Sequence, residues 1–112
     1  MKNLKIPYLL DFYGNMFSEK QREILEMYYQ EDMSLSEIAS VTGMTRQGVY
    51  DNIKRGEKEI LSLEDKLNLM DRFLGISSSL DNIASQISPE KLLSKEDYEK
   101  IISDINSIKA MI

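Results

Sequence analysis

An all-α fold is what this sequence predicts, and three observations predict it. Apolar residues recur at spacings of three and four through most of the chain, the period of an amphipathic helix. Serine or threonine stands at repeated capping positions (Ser18, Ser34, Thr45 and Ser94) just before those apolar runs, where a side-chain oxygen can satisfy the first free backbone N–H groups. No stretch alternates apolar and polar residues as a half-buried strand would. The expected architecture is a helix-turn-helix head with a long helix and a C-terminal helical extension: a head over residues 1–61 and an extension over 62–112.

Pro7 suits a first helical turn, where its missing N–H would have no partner anyway. Tyr8, Leu9, Leu10, Phe12 and Tyr13 follow, with Gly14 as the stop. Ser18 and Gln21 then stand at capping-box spacing before the stripe Ile24, Leu25, Met27 and Tyr28. Ser34 and Glu37 repeat that spacing before Ile38, Ala39 and Val41, and Gly43 breaks this helix. From Thr45 the pattern runs through Val49, Ile53, Gly56, Ile60, Leu63, Leu67, Met70 and Leu74. Its last five members repeat every 3.5 residues, a helix-helix seam. Gly75 to Ser79 is expected to turn, Leu80 to Ile87 to form a short helix ending before Pro89, and Ser94 with Asp97 to start a last one. That final helix carries Tyr98, Ile101, Ile105, Ile108 and Ile112.

Composition narrows the chemistry. The 112 residues include no cysteine and no histidine, which removes disulfides, thiol nucleophiles, the commonest general base and the commonest metal ligand. No glycine-rich phosphate loop is present. An enzyme is not expected, and neither is a cofactor, a metal or a small-molecule substrate. No apolar run approaches the roughly 20 residues of a membrane span. Pro7 and Asp11 interrupt the N-terminal segment, so it does not read as a signal peptide, and a cytoplasmic protein is expected. Met16, Met27, Met33, Met44 and Met70 are read as core filler. Glu31 and Asp32 are read as a solvated loop, since two adjacent carboxylates make a poor hard-cation site.

The net charge of −5 opposes simple nucleic-acid binding, but its distribution is uneven. Thr45 to Lys58 holds Arg46, Lys54, Arg55 and Lys58 against Asp51 and Glu57. The segment SLSEIASVTGMTRQGVYDNIKRGEK, Ser34 to Lys58, has the parts of a helix-turn-helix: a short helix, a turn with glycine, and a second helix with polar residues outward. Val49 and Ile53 would anchor the second helix and leave Arg46, Gln47, Tyr50 and Lys54 outside, near the turns that meet base edges.

This segment resembles region 4 of bacterial sigma factors, particularly the extracytoplasmic-function type. From DFYG (Asp11 to Gly14) through SEKQ (Ser18 to Gln21) and TRQGVYDNIKR (Thr45 to Arg55) to LEDKL (Leu63 to Leu67), nearly the whole chain resembles the YlxM family. These are small bacterial proteins encoded beside signal recognition particle genes. The resemblance implies a DNA-binding helical dimer with a sigma-like head and a role in the signal recognition particle pathway. The chain departs from the sigma pattern at Tyr50 and Asn52, where sigma-like helices often carry basic residues.

Thr45, Arg46, Gln47, Tyr50, Lys54, Arg55 and Lys58 are therefore the candidate DNA-binding residues, entering the major groove. Arg46 and Gln47 have the side chains that read guanine and adenine edges bidentately, or they are a solvated helix start. Tyr50 either meets a sugar or a thymine methyl or packs half-buried. Lys54, Arg55 and Lys58 either hold phosphates or pair along the helix, Lys54 with Asp51 and Arg55 with Glu59. Ile60, Leu63, Leu67, Met70 and Leu74 are the candidate dimer interface, or the face that the C-terminal helix covers. A second function fits the acidity: an adaptor that binds the signal recognition particle or its GTPases and has no DNA ligand.

Overall fold

The computed structural model describes residues 2–87 and 94–111. Pro89 and Ile112, named above as a helix stop and as the last of an apolar series, lie outside them. The described residues form six α-helices and one 3-10 turn, with no strand among them: α1 (Ile6–Tyr13), the 3-10 turn Gly14–Met16, α2 (Glu19–Tyr29), α3 (Leu35–Thr42), α4 (Arg46–Leu67), α5 (Leu69–Gln86) and α6 (Lys95–Met111). The chain divides into two compact units, Met1–Met70 and Asp71–Ile112.

In the first unit α4 is the central element, packed against α1, α2 and α3. Its inner edge is Val49, Ile53, Gly56 and Ile60, all buried. They meet Ile6, Leu9, Leu10 and Tyr13 of α1, Ile24 and Leu25 of α2, and Ile38 of α3 in one core. Gly56 is what lets α2 come this close. A Cβ built there would lie 2.8 Å from both methyl carbons of Leu25, which is itself fully buried. The glycine's cost in a helix interior, about 1 kcal/mol relative to alanine, is offset by the packing it permits. Met27, Met33, Met44 and Met70 pack against this core as expected. Met16 does not: it is exposed.

The boundaries follow the local signals. Ser18 Oγ accepts from the Gln21 N–H at 3.2 Å. Ser34 and Glu37 form a complete capping box, with Glu37 N–H donating to Ser34 Oγ at 3.1 Å and Ser34 N–H donating to Glu37 Oε1 at 3.2 Å. Pro7 stands in the first turn of α1. Gly14, however, does not leave the right-handed region (φ −56°); α1 passes straight into the 3-10 turn.

The largest departure from the sequence expectation lies after Leu67. The 3.5-residue seam from Ile60 to Leu74 does not lie on one helix. Asn68 adopts the left-handed conformation (φ 57°, ψ 32°) and separates α4 from α5. A buried tyrosine holds the break. The Tyr13 hydroxyl donates to Glu64 Oε1 at 2.6 Å and accepts from the Leu69 N–H at 3.2 Å. Glu64 Oε1 also accepts from the Met70 N–H at 3.1 Å. The first two N–H groups of α5, which have no partner within their own helix, are thus satisfied by a phenol from α1 and a carboxylate from α4.

The second unit pairs α5 with α6. Gln86 Nε2 donates to Asp104 Oδ2 at 3.3 Å, while a Cβ at Gly75 would come within 3.0 Å of Met111 Sδ. Residue 86 matching 104 and residue 75 matching 111 run the two helices antiparallel. Gly75 to Ser79 was expected to turn, and instead α5 continues through it. The small residue serves close helix approach, a use of glycine that composition alone does not separate from a turn. Ser94 and Asp97 begin α6 with reciprocal bonds of 3.1 and 3.3 Å.

Tyr13→Phe is expected to destabilise the fold by about 1–3 kcal/mol, because it leaves the Leu69 N–H without its acceptor. Urea denaturation of the two proteins measures it.

Candidate nucleic-acid interface

The candidate interface lies on the α3–α4 turn. Gly43 takes φ 74°, ψ 8° and its N–H donates to Ala39 O, the left-handed cap that side chains with a Cβ rarely adopt. Thr45 then caps α4, with Oγ1 accepting from the Gly48 N–H at 3.0 Å. That bond fixes where α4 begins, and the buried edge from Val49 to Ile60 fixes how it is rotated. Together they decide which side chains point out.

Arg46, Gln47, Tyr50, Lys54, Arg55 and Lys58 are all exposed, as is Thr45. They do not form one cluster. At 3.6 residues per turn, Arg46, Tyr50 and Lys54 fall within roughly 80° of one another, Gln47 and Lys58 border them, and Arg55 sits roughly 140° round from Tyr50. Tyr50 is 43% exposed and shares a concavity of about 500 Å³ with Leu35, Arg46 and Gln47. The Lys54 ammonium is 5.6 Å from the centre of the Tyr50 ring.

The ion pairs differ from those weighed on sequence. Lys54 Nζ meets Glu57 Oε2 at 3.4 Å rather than Asp51. Asp51 instead accepts from Gln47 Nε2 at 3.0 Å. Among the described residues no hydrogen bond or ion pair engages the side chains of Arg46, Arg55 or Lys58, so Arg55 does not pair with Glu59. Burial lifts the Glu57 carboxyl above its ordinary value of 4.5.

Sequence reasoning placed the whole interface on α4 and passed over α2. Ser18, Lys20 and Gln21, at the start of α2, share a polar cavity of about 250 Å³ with Asn52, Arg55 and Glu59 of α4. SEKQ reads as a helix start and as part of the YlxM resemblance, and nothing local in it reports that it lies beside Arg55. Among the described residues no group of three or more acidic side chains is arranged to hold a metal.

Of the residues expected at a dimer seam, Ile60 is wholly buried in the core of the first unit, and Leu63 and Met70 pack against that core. Leu67 and Leu74 are 41% and 57% exposed. No helix among the described residues is long and apolar enough to cross a membrane.

A left-handed glycine turn between two capped helices, the second anchored inward and polar outward, defines a helix-turn-helix protein. The comparison with known families agrees and is more specific. Residues 1–105 match the family model described as "Putative helix-turn-helix protein, YlxM / p13 like", and the chain belongs to this family, UPF0122. A UPF0122 protein of Thermoanaerobacter sp. (strain X514) is 42% identical over 111 residues, covering 92% of this chain and 95% of the relative. One from Halalkalibacterium halodurans is 35% identical over 108 residues, 96% and 97% of the two chains. One from Oceanobacillus iheyensis is 50% identical over 72 residues, 64% and 69% of the two chains.

The raised pKa of Glu57 sets a pH dependence. The folded state holds this proton more tightly than the unfolded chain, so the associated stability is full below pH 4.5 and is lost as pH rises through the higher folded value. Glu57→Gln, which cannot ionise, is expected to lose less stability than wild type over that climb, as measured by thermal unfolding at a series of pH values.

Proposed function

We propose that this chain is a non-enzymatic, cytoplasmic DNA-binding regulatory protein that acts as a homodimer. One observation carries the reading: the Thr45-capped α4 holds Arg46, Gln47, Tyr50 and Lys54 outward in the turns next to a left-handed glycine corner. A recognition helix needs that arrangement to reach base edges in the major groove. In this reading Arg46 and Gln47 contact bases, Tyr50 meets a sugar or a thymine methyl, and Lys54, Arg55 and Lys58 meet phosphates. The guanidinium of Arg46 can engage without giving up a partner among the described residues, whereas Gln47 must release Asp51 and Lys54 must release Glu57.

In this reading the activity belongs to the signal recognition particle pathway, a role supported only by the resemblance to YlxM proteins. A second reading is favoured by the net charge of −5: an adaptor whose acidic surface meets the basic signal recognition particle or its GTPases, with the helix-turn-helix as scaffold. Dimerisation rests on Leu67 at the end of α4 and Leu74 on α5, the exposed members of the apolar seam. A two-fold protein suits a two-fold operator.

Affinity for a duplex should fall linearly with salt on logarithmic axes, as displaced counterions require. Arg46→Ala should cost about 1–3 kcal/mol on a preferred site and less on unrelated duplexes; fluorescence anisotropy measures both. Absence of binding to any duplex at low salt, with co-purification of particle components surviving nuclease, would favour the adaptor. For the dimer, sedimentation velocity should show wild type as two copies and Leu74→Glu as one. A monomeric wild type at micromolar concentration contradicts the proposal.

A further inference from the structure

The cavity between α2 and α4 is lined by two cations that no ion pair among the described residues engages. Lys20 and Arg55 both line it, and among the described residues neither takes part in a hydrogen bond or an ion pair. Glu59 is the one carboxylate in the lining, so the cations outnumber it two to one, and Arg55 leaves it unpaired although it stands one turn away. Asn52 also lies in the wall, and its amide oxygen is enclosed without a partner. Turning that amide about its last torsion would aim the NH₂ donor inward instead. A pair between Arg55 and Glu59 would add little stability, and the base-before-acid order is the weaker one, so Arg55 stays available to another anion. Here the guanidinium, the ammonium and an unsatisfied amide share one space with a single carboxylate that pairs with neither cation.

We propose that this cavity clamps one phosphate of a DNA backbone, with Lys20 and Arg55 as its cationic jaws and Asn52 as a neutral donor. The proposal rests on the DNA reading above and adds to it a residue outside the recognition helix. Position argues for a backbone phosphate over a base. Arg55 lies roughly 140° round α4 from Tyr50, on the α2 flank, and Lys20 approaches from α2 itself. A helix about 10–12 Å across in a groove about 12 Å wide has a phosphate strand along each side. The α2 flank therefore faces one of those strands while Arg46, Gln47 and Tyr50 face the floor. Arg55 can offer two parallel donors to phosphate oxygens and Lys20 a point charge. Contacts of this kind fix the register of a protein on its duplex and carry no sequence information.

The test uses the full chain as wild type, Lys20→Gln, Arg55→Gln and the double variant, titrated against duplexes of two unrelated sequences across a salt series. Both substituted positions are exposed, and circular dichroism checks the fold. Lys20→Gln should weaken binding to both duplexes by the same factor and lower the salt slope by about 0.9, the value of one phosphate. Between 50 and 200 mM salt that is about threefold less loss of affinity than wild type shows. Because the clamp needs both cations to hold its one phosphate, losing either releases it, and the double variant should lower the slope by about 0.9 and not by twice that. Wild-type slopes in the single variants, or a loss confined to one of the two sequences, overturn the clamp while the DNA reading stands. A wild type that binds neither duplex at low salt overturns the DNA reading and the clamp together.

Discussion

Leu25 of α2 rests in the notch left by Gly56 of α4, closer than any side chain at 56 would allow. The arrangement of the first unit depends on this contact. It brings α2 and α4 near enough for Ile24, Val49, Ile53 and Ile60 to be wholly or almost wholly buried with Ile6 and Leu9 of α1. Cores packed at this density resist rotation of their elements, because turning a helix would open voids on one side and force overlap on the other. With its inner edge held, α4 cannot roll, and the direction of Arg46, Gln47, Tyr50 and Lys54 is decided by residues that never meet a ligand. Gly43 and Thr45 add the axial part by setting where the helix starts.

The other end of α4 is held by polar contacts. Tyr13 is fully buried in hydrocarbon surroundings, yet its hydroxyl reaches Glu64 and the start of α5. One side chain from α1 therefore ends the central helix and begins the next. Buried polar groups of this kind are costly unless satisfied, and here the phenol has both a donor and an acceptor role filled. The apolar seam beyond Ile60 is therefore divided: Leu63 and Met70 pack against the core, and the series passes from α4 to α5 at Asn68.

What could be read from the chain beforehand was local. Ser18, Ser34, Thr45 and Ser94 cap the helices they precede because a cap involves residues three apart, and Gly43 turns because a positive φ is a property of one residue. The elements that escaped notice depend on distant partners. Asn68 breaks a continuous apolar period because Tyr13, far away in sequence, satisfies the N–H groups that the break exposes. Gly75 and Ser79 look like turn formers, and only the approach of Met111 explains why a glycine belongs inside α5. At the interface, the outward set on α4 follows from helical period alone. Its partners do not: Asp51 takes Gln47, Glu57 takes Lys54, and Lys20 faces the same cavity as Arg55. Side-chain pairing on an exposed helix offers several alternatives of nearly equal energy, each worth about 0.2–0.5 kcal/mol, so spacing does not choose among them.

The central claim, that α4 reads DNA through its outward turns, is most directly tested by selecting bound duplexes from a randomised pool at near-physiological salt. Wild type and Arg46→Ala are carried through in parallel. The account predicts a recovered motif with wild type that Arg46→Ala loses or relaxes at one position. A pool that stays unenriched with folded, dimeric wild type would contradict it, leaving the helix-turn-helix as a scaffold for protein contacts.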